Sequence, residues 1–151
     1  MSFLQRYYEY GAKLVQAIEE SLLNETAEAV KDTMVQQLDE DVYSYPASEM
    51  ALASRRYGDG GLQDRENMAP HIEYDTGWVL AVENVTPFQT SSDSRKGHDL
   101  SDVVEKALPG YHQPAPRPFI ADTEVECISS GNALRAFNEG MRKRGADIEQ
   151  E

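Results

Sequence analysis

The spacing of apolar residues over the first forty positions constrains the fold most strongly. These residues recur at steps of three and four in two consecutive sets: Leu4, Tyr8, Gly11, Val15, Ile18 and Leu22, then Leu23, Ala27, Val30, Met34 and Leu38. Such steps place side chains on one face of an α-helix. The spacing therefore predicts a long N-terminal helix from Ser2 to Asp41, about 60 Å in length if it were straight.

The apolar stripe moves sideways by one residue between Leu22 and Leu23. Because one residue rotates a helix face by about 100°, either the helix bends near Asn24 or its two halves face different neighbours. A small domain can hardly cover both faces over this length, so the stripe predicts a partner chain. The alternative is that the C-terminal helices of the same chain cover it.

A glycine-rich segment follows the long helix. Residues 55–64 read RRYGDGGLQD, with three glycines in four positions. Glycine accepts positive φ, so this segment predicts a tight corner. A phosphate-binding loop is excluded because no strand leads in and no Gly-Lys-Ser/Thr follows. Since proline disfavours helix at the residue before it, Tyr45–Pro46 ends the helix, and residues 43–67 are expected to form a long loop.

A β-hairpin is predicted after this loop. Ile72 and Tyr74 alternate with polar residues, and the turn Asp75–Gly77 is expected to place Gly77 in the left-handed region. The next strand puts three apolar residues on one face: Trp78, Leu80 and Val82. The hairpin should therefore have one buried side.

The last third of the chain combines loops with short helices. Residues 86–99 have loop composition, and Val103, Val104 and Leu108 predict a short helix before Pro109. A helical pattern begins at Phe119, breaks at Gly131 and resumes through Lys143, with Asn132 as the predicted N-cap. Residues 145–151 are expected to be a disordered tail. The whole chain is expected to be one α+β domain spanning residues 1–151.

Charge limits the possible partners. The 151 residues carry a formal charge of −13, and the stretch from Glu19 to Glu49 contains nine acids and one base, Lys31. This stretch should repel phosphate and anionic lipid, which argues against sequence-specific nucleic-acid binding and against membrane binding. It is interpreted as a solvated helix face, as a wall past which DNA slides, or as a surface for a basic partner.

Catalytic groups are scarce. Cys127 is the single cysteine, the three histidines lack metal-ligand spacing, and no Gly-x-Ser-x-Gly motif occurs. Acidic pairs such as Asp39 and Asp41 arise by chance in a chain with 27 acids. We therefore expect no enzymatic activity, no catalytic residue, no cofactor and no metal. A hydrolase that uses paired carboxylates and a divalent metal is a remote alternative.

Several short motifs in a fixed order resemble a known family. They are Glu28–Met34, Val42–Tyr45, the corner Arg55–Asp64 and Arg117–Thr123, with Val104-Glu105 and Pro118-Phe119 between and within them. Together they resemble the tail-component or morphogenesis family of long-tailed phages and prophages. One departure is Lys106, where the wider family usually has glycine after the valine-glutamate pair.

The resemblance implies an α+β fold in which a long helix packs on a small antiparallel sheet. It implies a non-enzymatic virion assembly protein, a neck or tail-completion subunit that joins head and tail. Its partners would be further copies of itself in a ring and the neighbouring connector and tail proteins. The protein would be found in the virion, and in the host cytoplasm during assembly.

Contact residues for such assembly are predicted at the corner and beside the prolines. Arginine and tyrosine are enriched at the centres of interfaces, which makes Arg55, Arg56 and Tyr57 candidates, together with Leu62 and Arg117. The alternative is that the arginines pair with acids of their own chain. The second candidate function is an inhibitor whose acidic helix mimics DNA or masks a basic host protein.

Overall fold

The first forty residues form one continuous helical run that changes its pitch twice. The computed structural model describes residues 2–44, 60–87, 104–106 and 117–146. Helix α1 spans Phe3–Ser21 and α2 spans Ala27–Leu38; π-helical segments at Leu22–Thr26 and Asp39–Tyr43 follow them. Ser2 begins the run with a capping box, in which its hydroxyl accepts the Gln5 amide and the Gln5 side chain accepts the Ser2 amide.

The π segment at Leu22–Thr26 accounts for the sideways step of the stripe. Buried residues follow regular helical spacing up to Ser21, and the next buried residue is Thr26, five positions later. A π turn closes over five residues rather than four, so it adds one residue while the buried face keeps its direction. The buried residues of α1 are Ala17 and Ser21, whereas Ile18 and Leu22 of the predicted stripe are half-buried.

Polar side chains support this wide turn. Asn24 Nδ2 donates to the Glu20 carbonyl at 2.7 Å, and Thr26 Oγ1 donates to the Ser21 carbonyl at 2.9 Å. Within the last turn of α1, Ser21 Oγ donates to the Ala17 carbonyl at 2.6 Å. Side chains thus donate to carbonyl groups that a regular helix would pair differently. Buried polar groups need such partners.

Two C-terminal helices cover the middle of the long run, as one of the two alternatives predicted. Helix α3 spans Phe119–Ser129 and packs on α2, while α4 spans Asn132–Lys143 and packs along α1, the first π segment and α2. Helix α4 runs antiparallel to the long run, since Asn132 Nδ2 donates to Thr33 Oγ1 at 2.7 Å and Gly140 lies against Ser21.

The final helix differs in detail from its prediction. Gly131, with φ 66°, occupies the N-cap position, and the Asn132 side chain reaches across to α2 instead of capping its own helix. At the other end Gly145 adopts φ 74°, and the Ala146 amide donates to the Met141 carbonyl at 3.0 Å. This is a Schellman ending, so Gly145 and Ala146 belong to the helix terminus rather than to the predicted tail, whose remaining residues 147–151 lie outside the described residues.

The predicted hairpin forms. Strand β1 spans Met68–Tyr74, β2 spans Trp78–Asn84, and they pair antiparallel with Tyr74 opposite Trp78 and Ile72 opposite Leu80. These are the only strands among the described residues. The left-handed conformation predicted for Gly77 is wrong, because the turn closes through the Asp75 amide and the Gly77 carbonyl without positive φ at that glycine.

Burial of the hairpin is confined to its base. Met68 and Asn84 are buried, whereas Tyr74 and Trp78 at the tip are exposed. The predicted buried side is therefore only partly formed, because Trp78 is exposed and Leu80 and Val82 are half-buried. The tip is nevertheless tied to α1: the Tyr74 hydroxyl donates to Glu19 at 2.8 Å, and Trp78 Nε1 donates to the same oxygen at 3.4 Å.

One core joins these elements. It contains seven buried apolar residues: Met34, Leu38, Val42, Leu62, Met68, Val104 and Phe119. The predictions for long loops fall partly outside the described residues. Within them, residues 65–67 form a 3-10 turn, and Thr86 at the start of the second predicted loop is fully buried, with its hydroxyl 3.1 Å from the Gly61 carbonyl. The architecture is the predicted α+β class, with a long N-terminal helix, a small antiparallel sheet and short C-terminal helices.

Candidate interaction surfaces

The structure separates the residues predicted to contact partners. Arg55, Arg56 and Tyr57 lie outside the described residues, so their role stays a prediction. Leu62 is only 3 % exposed and belongs to the core of its own chain, because the end of the corner turns inward onto α2 and β1. Arg117 is half-buried, and its Nη1 donates to the Val42 carbonyl at 2.9 Å.

The described half of the corner is held by contacts within the chain. Gly60 has φ 72°, as a tight reversal requires, and its amide donates to Asp64 Oδ2 at 2.6 Å. A second amide, that of Glu66, donates to the same carboxylate, and these two hydrogen bonds lower the pKa of Asp64. Asn84 Nδ2 donates to the Leu62 carbonyl at 2.7 Å, which fixes the corner to β2.

Two motifs that are separate in the sequence, Val104-Glu105 and Pro118-Phe119, lie at one junction in the structure. The Glu105 carboxylate accepts the backbone amides of Ile120 at 3.0 Å and of Ala121 at 3.4 Å, and so caps the N-terminus of α3. The Val104 carbonyl accepts the Arg117 amide at 3.0 Å. A carboxylate suits this position because the first amides of a helix lack partners within it and carry partial positive charge.

A group of carboxyls surrounds this junction. Asp41 lies among Asp122, Glu40 and Glu105, and burial together with the Asp122 charge raises the pKa of Asp41. The described residues contain no group of three side chains arranged to hold a metal ion. The Cys127 thiol is buried on α3, where desolvation raises its pKa, so it is a poor nucleophile at neutral pH.

Most acids on the long helix have partners within the chain. Arg144 of the C-terminal helix end binds Glu20 at 3.0 Å and Glu25 at 2.8 Å, and Arg65 binds Glu28 and Asp32. Hydrogen bonds from Gln16 and Arg144 lower the pKa of Glu20, and those from Arg65 and Lys31 lower the pKa of Glu28. Burial raises the pKa of Glu25, but its backbone hydrogen bond and Arg144 outweigh this and lower it overall.

Apolar surface remains uncovered at the start of α1. We call residues 3–15 the N-terminal arm. Five of its apolar side chains are between 63 and 81 % exposed: Phe3, Leu4, Tyr7, Tyr8 and Tyr10. Leu14 and Val15 are also exposed, and the first buried residue of the helix is Ala17.

A second exposed apolar surface lies on α3. Phe119, Thr123 and Cys127 face the interior, while Val125 and Ile128 are 63 and 74 % exposed on the opposite side. We call the exposed residues Ile120, Ala121, Glu124, Val125 and Ile128 the outer face of α3. None of the described helices is both long enough and apolar enough to span a membrane.

Comparison with known proteins places the chain in a family. No curated protein and no solved structure matches it. A model of the YomN family matches residues 7–143, which include the long helix, the hairpin and both C-terminal helices. The match therefore covers most of the chain, and the chain belongs to the YomN family, a phage- and prophage-associated family.

Proposed function

We propose that this protein is a non-enzymatic virion assembly subunit that acts at the neck or completes the tail, joining head and tail through contacts between subunits. The observation that carries the proposal is the exposed N-terminal arm on a chain from a phage-associated family. Monomeric soluble proteins seldom expose so large an apolar surface unless it meets a partner.

The same proposal assigns partners and location. The partners are further copies of the chain in a ring and the connector and tail proteins of the particle, and the protein acts in the virion after assembly in the host cytoplasm. The short motifs Val104-Glu105 and Pro118-Phe119, which resemble those of tail-component proteins, belong to one folded junction.

The alternative of an acidic inhibitor receives less support. A protein that mimics DNA must present its carboxylates freely to a basic partner. On the long helix, Glu20 and Glu25 bind Arg144 while Glu28 and Asp32 bind Arg65, so much of this charge is engaged within the chain.

The proposed function is tested in the phage that encodes the chain. We expect a null mutant to yield filled heads and separate tails, and we expect purified protein added to that lysate to restore joined, infectious particles. The protein should also be detected by mass spectrometry in purified wild-type particles. Normal particles from the null mutant, with no protein in wild-type virions, would contradict the proposal.

A further inference from the structure

We propose that the N-terminal arm of one copy docks on the outer face of α3 of a second copy, in a head-to-tail contact. The inference rests on the proposed function and names the two surfaces by which subunits meet.

The pattern of the arm continues a packing surface that the chain already uses. Its stripe runs Phe3, Tyr7, Tyr10 and Leu14, at steps of four, three and four, and the same stripe continues into Ala17 and Ser21. Ser21 is fully buried and packs against Gly140 of α4, whereas no described element covers the four earlier residues. The covered and uncovered parts are thus one helix face, and the arm is the part left for another helix.

The exposed area is a large part of what an interface needs. Three aromatic side chains of this stripe, Phe3, Tyr7 and Tyr10, are each about two-thirds or more exposed. At 150–250 Å² per aromatic side chain, they present roughly 300–550 Å² before the aliphatic residues are included. A stable interface buries about 800 Å² on each partner, so the stripe supplies about half of one side.

Charge selects the surface that receives the arm. The arm holds Arg6 and Lys13 against one acid, Glu9, in a chain whose net charge is −13. Helix α3 contains three acids, Asp122, Glu124 and Glu126, and no lysine or arginine. Of these, Glu124 lies on the outer face beside exposed Val125 and Ile128, whereas Asp122 and Glu126 are half-buried. This face suits a partner that is apolar and positively charged.

The contact joins two different surfaces, so each copy uses its arm on one neighbour and its α3 on another. Such head-to-tail contacts generate rings when the rotation closes. Two arms pairing with each other would leave Arg6 and Lys13 without the Glu124 carboxylate that the outer face of α3 offers.

Two surface variants test the contact by sedimentation velocity of the full chain. The arm variant carries Tyr7→Ser with Tyr10→Ser, and the face variant carries Val125→Ser with Ile128→Ser. All four residues are exposed, so the melting temperature of each variant should stay near that of the wild type. We expect the wild type to form assemblies larger than a dimer and each variant alone to associate at least tenfold more weakly.

Mixing the variants gives the decisive result. The face variant retains an intact arm and the arm variant retains an intact α3, so an equimolar mixture should form a 1:1 dimer and nothing larger. The control Val79→Ser, an exposed residue on β2, should associate as the wild type does. Reversal of charge with R6E and K13E should weaken association, and a second copy carrying E124K should restore binding to it.

Three outcomes would overturn the inference. A wild type that is monomeric up to about 1 mM lacks the contact, and the particle experiment then decides the proposed function separately. A face variant that still assembles, with an arm variant that does not bind it, points to pairing between arms. Assembly of both variants as in the wild type leaves subunit assembly intact but assigns it to other surfaces.

Discussion

Individual residues in this protein gain their roles from neighbours far away in sequence. Glu105 is an ordinary acid in the sequence, yet it caps α3 through the amides of Ile120 and Ala121. Gly140 lies inside α4, where glycine weakens a helix, because a side chain there would meet Ser21. Burial and neighbouring carboxylates raise the pKa of Asp41.

Gly140→Ala should destabilise the protein although alanine is the better helix former. A Cβ at this position would lie 2.8 Å from Ser21 Cβ, so α4 or the long helix must shift. Overpacking of this kind costs about 1–3 kcal/mol of unfolding free energy. Urea unfolding followed by circular dichroism measures the loss.

Gly11→Ala is the matched control for that substitution. Gly11 is also a helical glycine, but a Cβ there meets nothing within 4 Å. We expect this variant to keep or slightly raise the helix content and stability, by at most about 1 kcal/mol. Equal destabilisation by both substitutions would contradict the close crossing at Gly140.

Asp41→Asn should stabilise the protein at pH 7. The folded state raises the pKa of Asp41, so the ionised carboxylate is disfavoured there and its contribution to stability at pH 7 is negative. Removing the charge should raise the melting temperature by at most a few degrees. The gain should shrink as pH falls toward about 4, because Asp41 becomes increasingly protonated in both states.

Thermal melts at both pH values measure this effect, with Asp75→Asn as the control. Asp75 is exposed at the hairpin tip, away from the carboxyl group around Asp41. A stabilisation of the Asp41 variant that persists at pH 4 would show that the asparagine acts by another route than charge.

At the scale of elements, the π segments decide how the long helix meets its neighbours. The Leu22–Thr26 segment adds one residue to the helix and keeps the buried residues before and after it on a common face. It also lies against α4, so the wide turn and the helix crossing occupy the same place. Such π turns mark the insertion of a residue into a regular helix.

Deletion of Asn24 should therefore be tolerated. Asn24 is exposed and lies within the π segment, so its loss can restore a regular α-helix without rotating either half. Deletion of the exposed Gln36 within α2 removes a residue from a regular turn and rotates everything on one side by about 100°. We expect the first variant to melt cooperatively within a few degrees of the wild type, and the second to lose its cooperative transition.

Circular dichroism during thermal unfolding separates the two deletions. Similar damage from both would mean that the π segment does not compensate for the extra residue.

For the whole molecule, ion pairs reduce the free negative charge of the long helix. The long helix binds the C-terminal end through Arg144 and the corner through Arg65, so ion pairs join parts of the chain that lie far apart in sequence. Exposed ion pairs of this kind contribute little singly. As a set they leave the helix with less free negative charge than its composition suggests, whereas the N-terminal arm stays exposed.

Acid should destabilise the protein below the ordinary carboxyl range. The folded state lowers the pKa values of Glu20, Glu25, Glu28 and Asp64, so their stabilisation is present above the unfolded-state pKa and is lost as pH falls through the folded one. Asp41 acts in the opposite direction, because its raised pKa favours the folded state as pH falls from neutral.

Stability should therefore be greatest at mildly acidic pH and fall below about pH 4. Urea unfolding at constant ionic strength between pH 8 and pH 3 measures the profile. An Arg144→Gln variant should show a smaller loss of stability at low pH than the wild type, because the two carboxylate partners of Arg144 are released. Stability that keeps rising down to pH 3 would contradict the assignment of these ion pairs.

The elements that depend on local pattern could be predicted from the sequence alone. Helical spacing indicated the long N-terminal helix, alternation indicated the hairpin, and the break at Gly131 separated α3 from α4. These features need only neighbouring residues, which is why a period or a turn signal suffices.

Tertiary structure decided which surfaces are covered and which remain open. The one-residue step at Leu22 is a π turn at the place where α4 packs. Leu62 lies in the core, and acids of the long helix bind Arg65 and Arg144. The apolar stripe of the N-terminal arm has the same spacing as the covered part of the same helix. The two parts differ because the end of α4 near Ser21 covers only one of them. Coverage depends on residues more than a hundred positions away, which no local pattern contains.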